Sequence, residues 1–191
     1  YAKAYSQTGG AVEELARHVG DAPRSEPDAL ELDEVLWQRI AALPPTPRHV
    51  LELVCTASGQ STRARIAHAA GLDEQALFEA TRSLRAAHLV RATGLRRDDT
   101  LEPYHDRVRD AVERHLDPRR RRLCHQRLAR ALAEDGGARV APHALVGHTL
   151  AAGDQAGAAK HAEEAAKHAR AATAFDRAAD FYRMALDLGG H

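Results

Sequence analysis

One stretch of this 191-residue chain, residues 89–104, departs from the helical periodicity that the rest of the sequence favours. It consists of two short segments, LVRAT (89–93) and TLEPY (100–104), separated by GLRRDD. Short runs of β-branched, apolar and aromatic residues around a polar, glycine-containing connection are typical of a β-hairpin. The sequence therefore predicts a mainly α fold with one small sheet.

Helical segments with apolar stripes lie before this hairpin. They are predicted at 11–19, 33–43, about 47–57, 61–70 and 73–88. Asp33 and Asp73 are predicted N-caps, and Ser61 or Thr62 can cap the short third segment of the domain. Gly71 is expected to end that segment in a left-handed conformation. Three helices followed by a hairpin is the order of a winged helix-turn-helix domain, with 73–88 in the position of the recognition helix.

Everything after Asp106 favours helices with short connections. The predicted segments are 106–116, 118–134, 140–152, 155–172 and 175–188. The last three begin about 15 to 20 residues apart, which is the spacing of tetratricopeptide-like α-hairpin repeats. We therefore predict a linker at 21–31, a winged-helix domain at 32–116 and a helical-repeat region at 117–191 that continues beyond His191.

The composition restricts the kind of partner and compartment. The formal net charge is zero, which argues against a general binder of nucleic acid or membranes. The two cysteines, Cys55 and Cys124, lack metal-type spacing and favour a reducing cytosol. No apolar run reaches the roughly 18 residues of a membrane span, and the N-terminus lacks a signal-peptide core. We expect a cytoplasmic location without membrane insertion.

The motifs of nucleotide chemistry and of nucleophilic catalysis are missing. No Gly-Lys pair, dinucleotide glycine fingerprint or Gly-x-Ser-x-Gly elbow occurs. His105, Asp106 and Arg107 reverse the His-Arg-Asp order of a kinase catalytic loop, and the chain contains no Asn to hold Mg²⁺. Cys124 and His125 are adjacent in a helix and point about 100° apart, so they favour packing over catalysis. We predict no catalytic or cofactor-binding residue.

Twelve histidines raise the question of a metal site. The best set is His161, Glu164 and His168, which share one helix face, but zinc commonly uses a closer pair among three or four ligands. A solvated polar face explains these residues more simply, and His143 and His148 offer no better geometry. We predict no metal site.

Arginines give two candidate contacts for nucleic acid or an acidic partner. The first set lies on helix 73–88 and the hairpin, and the second opens helix 118–134: Arg82, Arg85, Arg96 and Arg97, then Arg119, Arg120, Arg121 and Arg122. Residues 33–116 contain twelve Arg and twelve acidic residues, whereas a DNA-binding domain usually has a basic excess. The charge balance favours a winged helix that packs on protein, with DNA binding as the alternative. Four arginines at a helix start oppose the helix dipole, which hints at an acidic partner or nucleic acid, but an ordinary solvated face is the favoured interpretation.

The order of these segments resembles the regulatory middle of bacterial STAND-type signalling ATPases, several of which follow a serine/threonine protein kinase domain. The resemblance rests on GGAVEELARHV (9–19), LDEVLWQRIAALPPTPRHVLELV (32–54), LRAAHLVRA (84–92), YHDRVRDAV (104–112), RRRLCHQRLARAL (120–132), AAGDQAGAAKHAEEAAKHA (151–169) and AFDRAADFYRMAL (174–186). One departure is Gly9-Gly10-Ala11, where the family usually has a proline after the first residue.

The resemblance implies that residues 1–20 end the lid helix of an ATPase module, and that this module binds ATP and Mg²⁺ before Tyr1. It implies that the winged helix packs on that module and that the repeats bind a partner protein or ligand. No residue of this chain matches a catalytic or ATP-contacting motif of the family. We expect His105, Asp106 and Arg107 to form the joint that couples the winged helix to the helices after it.

Overall fold

The computed structural model describes residues 29–57, 61–136 and 141–189, and these are mainly helical. The predicted helix at 11–19 lies outside them. The described part of the chain contains nine helices and three short strands: α1 Ala29–Ala41, α2 Pro45–Thr56, β1 Ser61–Thr62, α3 Arg63–Ala70, α4 Glu74–Ala86, β2 Val90–Ala92, β3 Thr100–Pro103, α5 Asp106–His115, α6 Pro118–Glu134, α7 Pro142–Ala151, α8 Gln155–Ala171 and α9 Phe175–Gly189. None of these helices has both the length and the apolar character that crossing a bilayer requires.

The predicted hairpin is confirmed as β2 and β3. The two strands run antiparallel, with Val90 opposite Pro103 and Ala92 opposite Leu101. A third strand was not predicted: β1 pairs antiparallel with β3, which gives the order β1-β3-β2. Because β1 has only two residues, it carries no alternation that a sequence pattern could reveal.

Side-chain caps fix the starts of several helices, as the sequence predicts. Thr62 Oγ1 accepts from the Arg65 backbone N–H at 3.2 Å, and Asp73 Oδ1 accepts from Ala76 N–H at 2.7 Å. Gly71 ends α3 with φ +68°, a left-handed conformation that glycine adopts without a steric penalty. These local signals set the boundaries of α3 and α4.

The start of the helix predicted at 33–43 was wrong. The helix α1 begins at Ala29, inside the predicted linker, so Asp33 lies within it and is not an N-cap. The sequence Ala-Leu-Glu-Leu before Asp33 consists of strong helix formers, and these extend the helix toward the N-terminus. The Asp33 carboxylate instead pairs with Arg114 and His115 of α5.

One contiguous hydrophobic core fills the sheet-containing region (residues 33–116). Its largest fully buried side chains are Ile40, Leu51, Leu53, Ile66, Leu84, Leu89 and Leu101. The core does not stop at the end of α5, because Cys124, Leu128 and Ala131 of α6 belong to the same cluster. The helical conformation is interrupted at residue 117, but the hydrophobic core continues from α5 into α6.

The helical region (residues 117–189) is packed differently. Beyond the part of α6 that joins the first core, its apolar contacts form three small clusters along α6 to α9, with Ala158, Ala162, Ala165 and Ala166 fully buried and Phe181 as the largest member. Alanine at these positions lets the helix backbones approach closely. Each helix packs mainly on its neighbours in the chain.

Candidate functional site

A buried carboxylate joins α6 to α2. Glu52 of α2 is 1% exposed, and its oxygens lie 3.2 Å from Arg48 Nε and 2.8 Å from Arg120 Nη2. His49 Nδ1 lies 3.8 Å from the same carboxylate. We call these residues, with Cys124 and Arg127 of α6 beside them, the Glu52 junction.

The electrostatics of the Glu52 junction keep this carboxylate charged. Burial raises the pKa of Glu52, but the hydrogen bonds and positive charges of His49, Arg120 and Arg48 lower it by more, so that the pKa lies below its ordinary value. A buried charge is tolerated when several partners surround it. This charged contact forms only when α6 is positioned on α2 so that Arg120 reaches Glu52.

The Glu52 junction also brings together three residues of types that bind metal ions, and the sequence alone did not indicate this grouping. Ligand atoms of His49, Glu52 and Cys124 all lie within 4.8 Å of one another. Burial raises the pKa of the Cys124 thiol to about 11, and metal binding needs the thiolate. Arg127 Nη1 lies 2.8 Å from His49 Nε2, and Arg48 and Arg120 already occupy Glu52. This donor set fits a charged packing contact better than a cation site.

The histidines that the sequence offered as metal ligands belong to no cluster of three ligand atoms among the described residues. His161 Nδ1 lies 3.6 Å from Glu164, whereas His168 is exposed and lies outside the one ligand cluster found among the described residues. The ring of His143 packs against Phe181 with 4.6 Å between centroids. His148 faces His125 instead.

The His125–His148 contact connects α6 to α7. The two Nδ1 atoms lie 2.9 Å apart, and His148 is 3% exposed. Burial and the neighbouring His125 lower the pKa of His148 to about 4, and burial together with Arg121 lowers that of His125. Both rings are therefore neutral near pH 7, when one can donate a hydrogen bond to the other.

The predicted joint residues lie between β3 and α5. His105, Asp106 and Arg107 are all exposed, and His105 precedes the first residue of α5. The His105 ring meets the edge of Tyr104 at 4.8 Å between centroids. Within the described residues, no hydrogen bond or ion pair involves the side chains of these three. Their coupling role stays a prediction.

Three other contacts join α1 to α5 and α3 to the C-terminal end of α6. The Trp37 ring of α1 stacks on His115 of α5, with centroids 4.8 Å apart and planes 10° from parallel. Across α3 and α6, Arg65 pairs with Asp135 at 3.3 Å and His68 with Glu134 at 2.9 Å. The links from the sheet-containing region to the helical region thus run through α6.

The four arginines that open α6 have different surroundings. Arg120 reaches Glu52, and Arg121 donates to the Glu113 carbonyl. Arg119 and Arg122 are exposed and have no ion pair among the described residues. The dipole mismatch at this helix start is moderated by Asp117, whose carboxylate accepts from the backbone N–H groups of Arg119 and Arg120.

The other candidate arginines belong to a mixed surface that we call the α4 face. It combines the exposed side of α4 with the hairpin loop (residues 93–99), and its exposed residues include Glu74, Gln75, Phe78, Glu79, Arg82, Arg85, Leu95, Arg96 and Arg97. Arg97 pairs with Glu74 at 3.4 Å, while Arg82 and Arg85 have no ion pair among the described residues. Phe78 is 40% exposed and Leu95 63%. The α4 face is amphipathic and is not a continuous basic patch.

Comparisons of the chain with protein-family models, with curated proteins and with solved structures find no match in any of the three.

Proposed function

We propose that this chain is a non-catalytic transducing segment of a STAND-type signalling ATPase. In this proposal residues 32–116 are a winged helix that packs on the nucleotide module, and residues 117–191 begin a tetratricopeptide-like array that binds a partner protein or ligand. ATP and Mg²⁺ belong to the module outside this chain, which in the complete protein can accompany a serine/threonine kinase domain.

The order of elements in the sheet-containing region supports the winged-helix part of the proposal. Along the chain, α2 is followed by β1, then by α3 and α4, and then by the β2–β3 hairpin. The sheet order β1-β3-β2 is entirely antiparallel. A winged helix combines three helices with a hairpin in this way, and α4 then occupies the recognition-helix position.

The observation that carries the transducing role is the position of α6. This helix starts the helical region, yet it supplies Leu128 and Cys124 to the core of the preceding region and pairs Arg120 with the buried Glu52. Coupling between two sites can be carried by packed side chains and rigid secondary elements whose arrangement both sites bias. A helix shared by two regions is an element of this kind.

The chemistry of the α4 face favours a protein over DNA as the partner of the winged helix. Glu74 and Glu79 are exposed on the same helix as Arg82 and Arg85, and Phe78 is exposed between them. Phosphate contacts need an excess of cations, whereas protein interfaces combine aromatic residues with arginine. The free thiols of Cys55 and Cys124 support a reducing, cytoplasmic location.

Measuring the affinity of the chain for random duplex DNA at several salt concentrations distinguishes a protein-binding from a DNA-binding winged helix. We expect no micromolar binding at physiological ionic strength. Micromolar affinity that falls steeply with salt would overturn the transducing role and favour the second candidate, a DNA-binding regulator. One observation favours this candidate: among the described residues there are exposed arginines without ion pairs, namely Arg82, Arg85 and Arg96.

A second experiment uses the complete protein. Arg120→Gln weakens the Glu52 junction and is expected to change the nucleotide-dependent output while the affinity for ATP is retained, with Arg122→Gln as the matched control. Ala substitutions of His105 and Arg107 test the predicted joint by the same output. Loss of ATP binding in a folded variant contradicts the assignment of these residues to transduction.

A further inference from the structure

A small groove lies on the α4 face. Its volume is about 270 Å³, and it is bounded by α3, the first turns of α4 and the hairpin loop. Its apolar wall consists of Ala64 and Ala67 of α3, Leu77 and Phe78 of α4, and Leu95 of the loop. Pockets for complete small molecules usually measure about 300–1,000 Å³, so this groove suits one or two side chains of a larger partner.

A buried cation whose side chain makes no hydrogen bond or ion pair to the described residues lines this groove. Arg63 is only 5% exposed, and its Nη1 atom makes no hydrogen bond to the described residues. No carboxylate among these residues lies within ion-pair distance of its guanidinium. Burying an unpaired charged group costs free energy, and a bound anion would supply the missing partner. Arg63 is thus the group in the groove that most needs a ligand.

A second cation at the groove is held only weakly. Arg97 pairs with Glu74 at 3.4 Å, and both side chains are 76% exposed. Exposed ion pairs of this kind contribute little to stability, so an incoming carboxylate can replace Glu74 at little cost. The carboxylates of Asp99 and Glu74 favour the charged form of Arg63 from beyond ion-pair distance, and Asp99 Oδ2 also accepts from the Arg96 backbone N–H at 2.5 Å.

We propose that this groove binds an acidic peptide segment of a partner protein, in which a carboxylate pairs with Arg63 and Arg97 and an adjacent apolar side chain covers Phe78 and Leu95. The inference rests on the proposed use of the winged helix as a protein-binding module and names the chemistry of its partner. Guanidinium groups bind carboxylates through paired, charge-assisted hydrogen bonds, which give both strength and direction.

The surroundings favour a peptide over a nucleic acid. A phosphodiester backbone lies on the outside of its duplex, whereas Arg63 is almost fully buried in the wall of the groove. The rim carries the exposed Glu74 and Gln75, and Gln75 is hydrogen-bonded to Glu79 at 2.7 Å. The exposed Phe78 and Leu95 match an apolar residue, which the phosphate backbone of a duplex does not offer.

A phage-displayed library of random twelve-residue peptides, selected on the intact chain, tests this proposal. We expect enriched sequences to contain Asp or Glu next to an aliphatic or aromatic residue. Each enriched peptide is then synthesised, and its Kd is measured by fluorescence anisotropy alongside a copy in which Asn or Gln replaces the acidic residues. Loss of a charge-assisted hydrogen bond should weaken binding about tenfold or more.

Variants locate the binding. Arg63→Gln should weaken the acidic peptide by at least about tenfold, and Leu95→Ser should weaken it severalfold without touching the buried core. Arg122→Gln and Leu186→Ser are the matched controls, because both residues are exposed outside the groove. Circular dichroism establishes that each variant is folded, and Leu95→Ser decides the matter if Arg63→Gln does not fold.

Three outcomes would overturn the proposal: enrichment of peptides without acidic residues, equal affinity for the amide copies, or binding that ignores Arg63→Gln and Leu95→Ser. A parallel arm measures a random twenty-base-pair duplex. If neither the peptides nor the duplex binds, the groove proposal fails and the transducing role stands. If only the duplex binds, both fail.

Discussion

The two regions of this chain bury their apolar residues in different ways. In residues 33–116, large aliphatic side chains from several helices and strands meet in one contiguous core. In α7, α8 and α9, alanines form small clusters between neighbours in the chain. A contiguous core unfolds as a unit, whereas stacked helices depend on each neighbour in turn. The helix α6 belongs to both arrangements, which explains how an array of small apolar clusters can be held by the contiguous core.

The largest effect is expected in the contiguous core. Leu51 is fully buried, so Leu51→Ala should lower the free energy of unfolding by about 2–5 kcal/mol, through lost burial and the cavity left behind. Denaturant unfolding measures this change. Leu186→Ala in α9 is the control, because Leu186 is exposed and its truncation should change stability by less than about 0.5 kcal/mol. Similar effects at the two positions would contradict the burial of Leu51 in the contiguous core.

Acidification should act on the contact between α6 and α7. The pKa of His148 is lowered from the ordinary 6.5 to about 4, so the folded state favours the neutral ring while the unfolded chain takes up a proton. The free energy of unfolding that the neutral His148 ring contributes is fully present above about pH 6.5 and is lost as the pH falls toward 4. The loss amounts to about 3 kcal/mol.

Replacing His148 tests this pH dependence. His148→Gln should flatten the fall in stability between pH 6.5 and 4, measured by denaturant unfolding at a series of pH values. The exposed His168→Gln should leave the fall unchanged. An equal slope in the His148 variant and the wild-type chain would show that the His125–His148 contact does not set the pH response.

Overpacking should disturb the alanine clusters. Ala162 of α8 is fully buried against α7 and α9, so Ala162→Leu should cost about 1–3 kcal/mol by forcing the helices apart. Ala156→Leu, on the exposed side of the same helix, serves as the control for helix propensity. Hydrogen exchange of α8 and α9 peptides reports the change, and unchanged protection in Ala162→Leu would mean that these helices are not closely packed.

A smaller effect is expected at the Glu52 junction. Arg120→Gln removes one of the partners of Glu52 but leaves Arg48 in place, so we expect a loss of about 1–2 kcal/mol. The loss should diminish when Glu52 is also replaced by Gln, which a double-mutant cycle measures. Additive effects of Arg120→Gln and Glu52→Gln would indicate that the two side chains do not interact.

Local signals predicted much of the fold. The limits of α6 to α9 agree with the sequence within two residues, because Asp117, Gly153-Asp154 and the corner before Phe175 interrupt a clear helical period. The hairpin followed from the same reasoning. The strand β1 has two residues and no pattern of its own, and α1 starts earlier than Asp33 because helix formers precede that residue.

The candidate sites were less accessible to sequence reasoning. The sequence directed attention to exposed arginines and to His105, whereas the structure places Arg120 on Glu52 and His125 on His148. These contacts join residues 68 and 23 positions apart, and only tertiary packing brings them together. One signal was available: Glu52 is the single charged residue in VLELVC, an otherwise apolar stretch of a buried helix.

Native-state hydrogen exchange tests most directly whether α6 belongs to the fold of the sheet-containing region. Exchange is measured across α2, α6 and α9 in the wild-type chain and in Leu51→Ala. We predict that α6 and α2 have similar protection and lose it together in Leu51→Ala, while α9 is less protected from the outset. Protection of α6 that follows α9 and ignores Leu51→Ala would contradict the account.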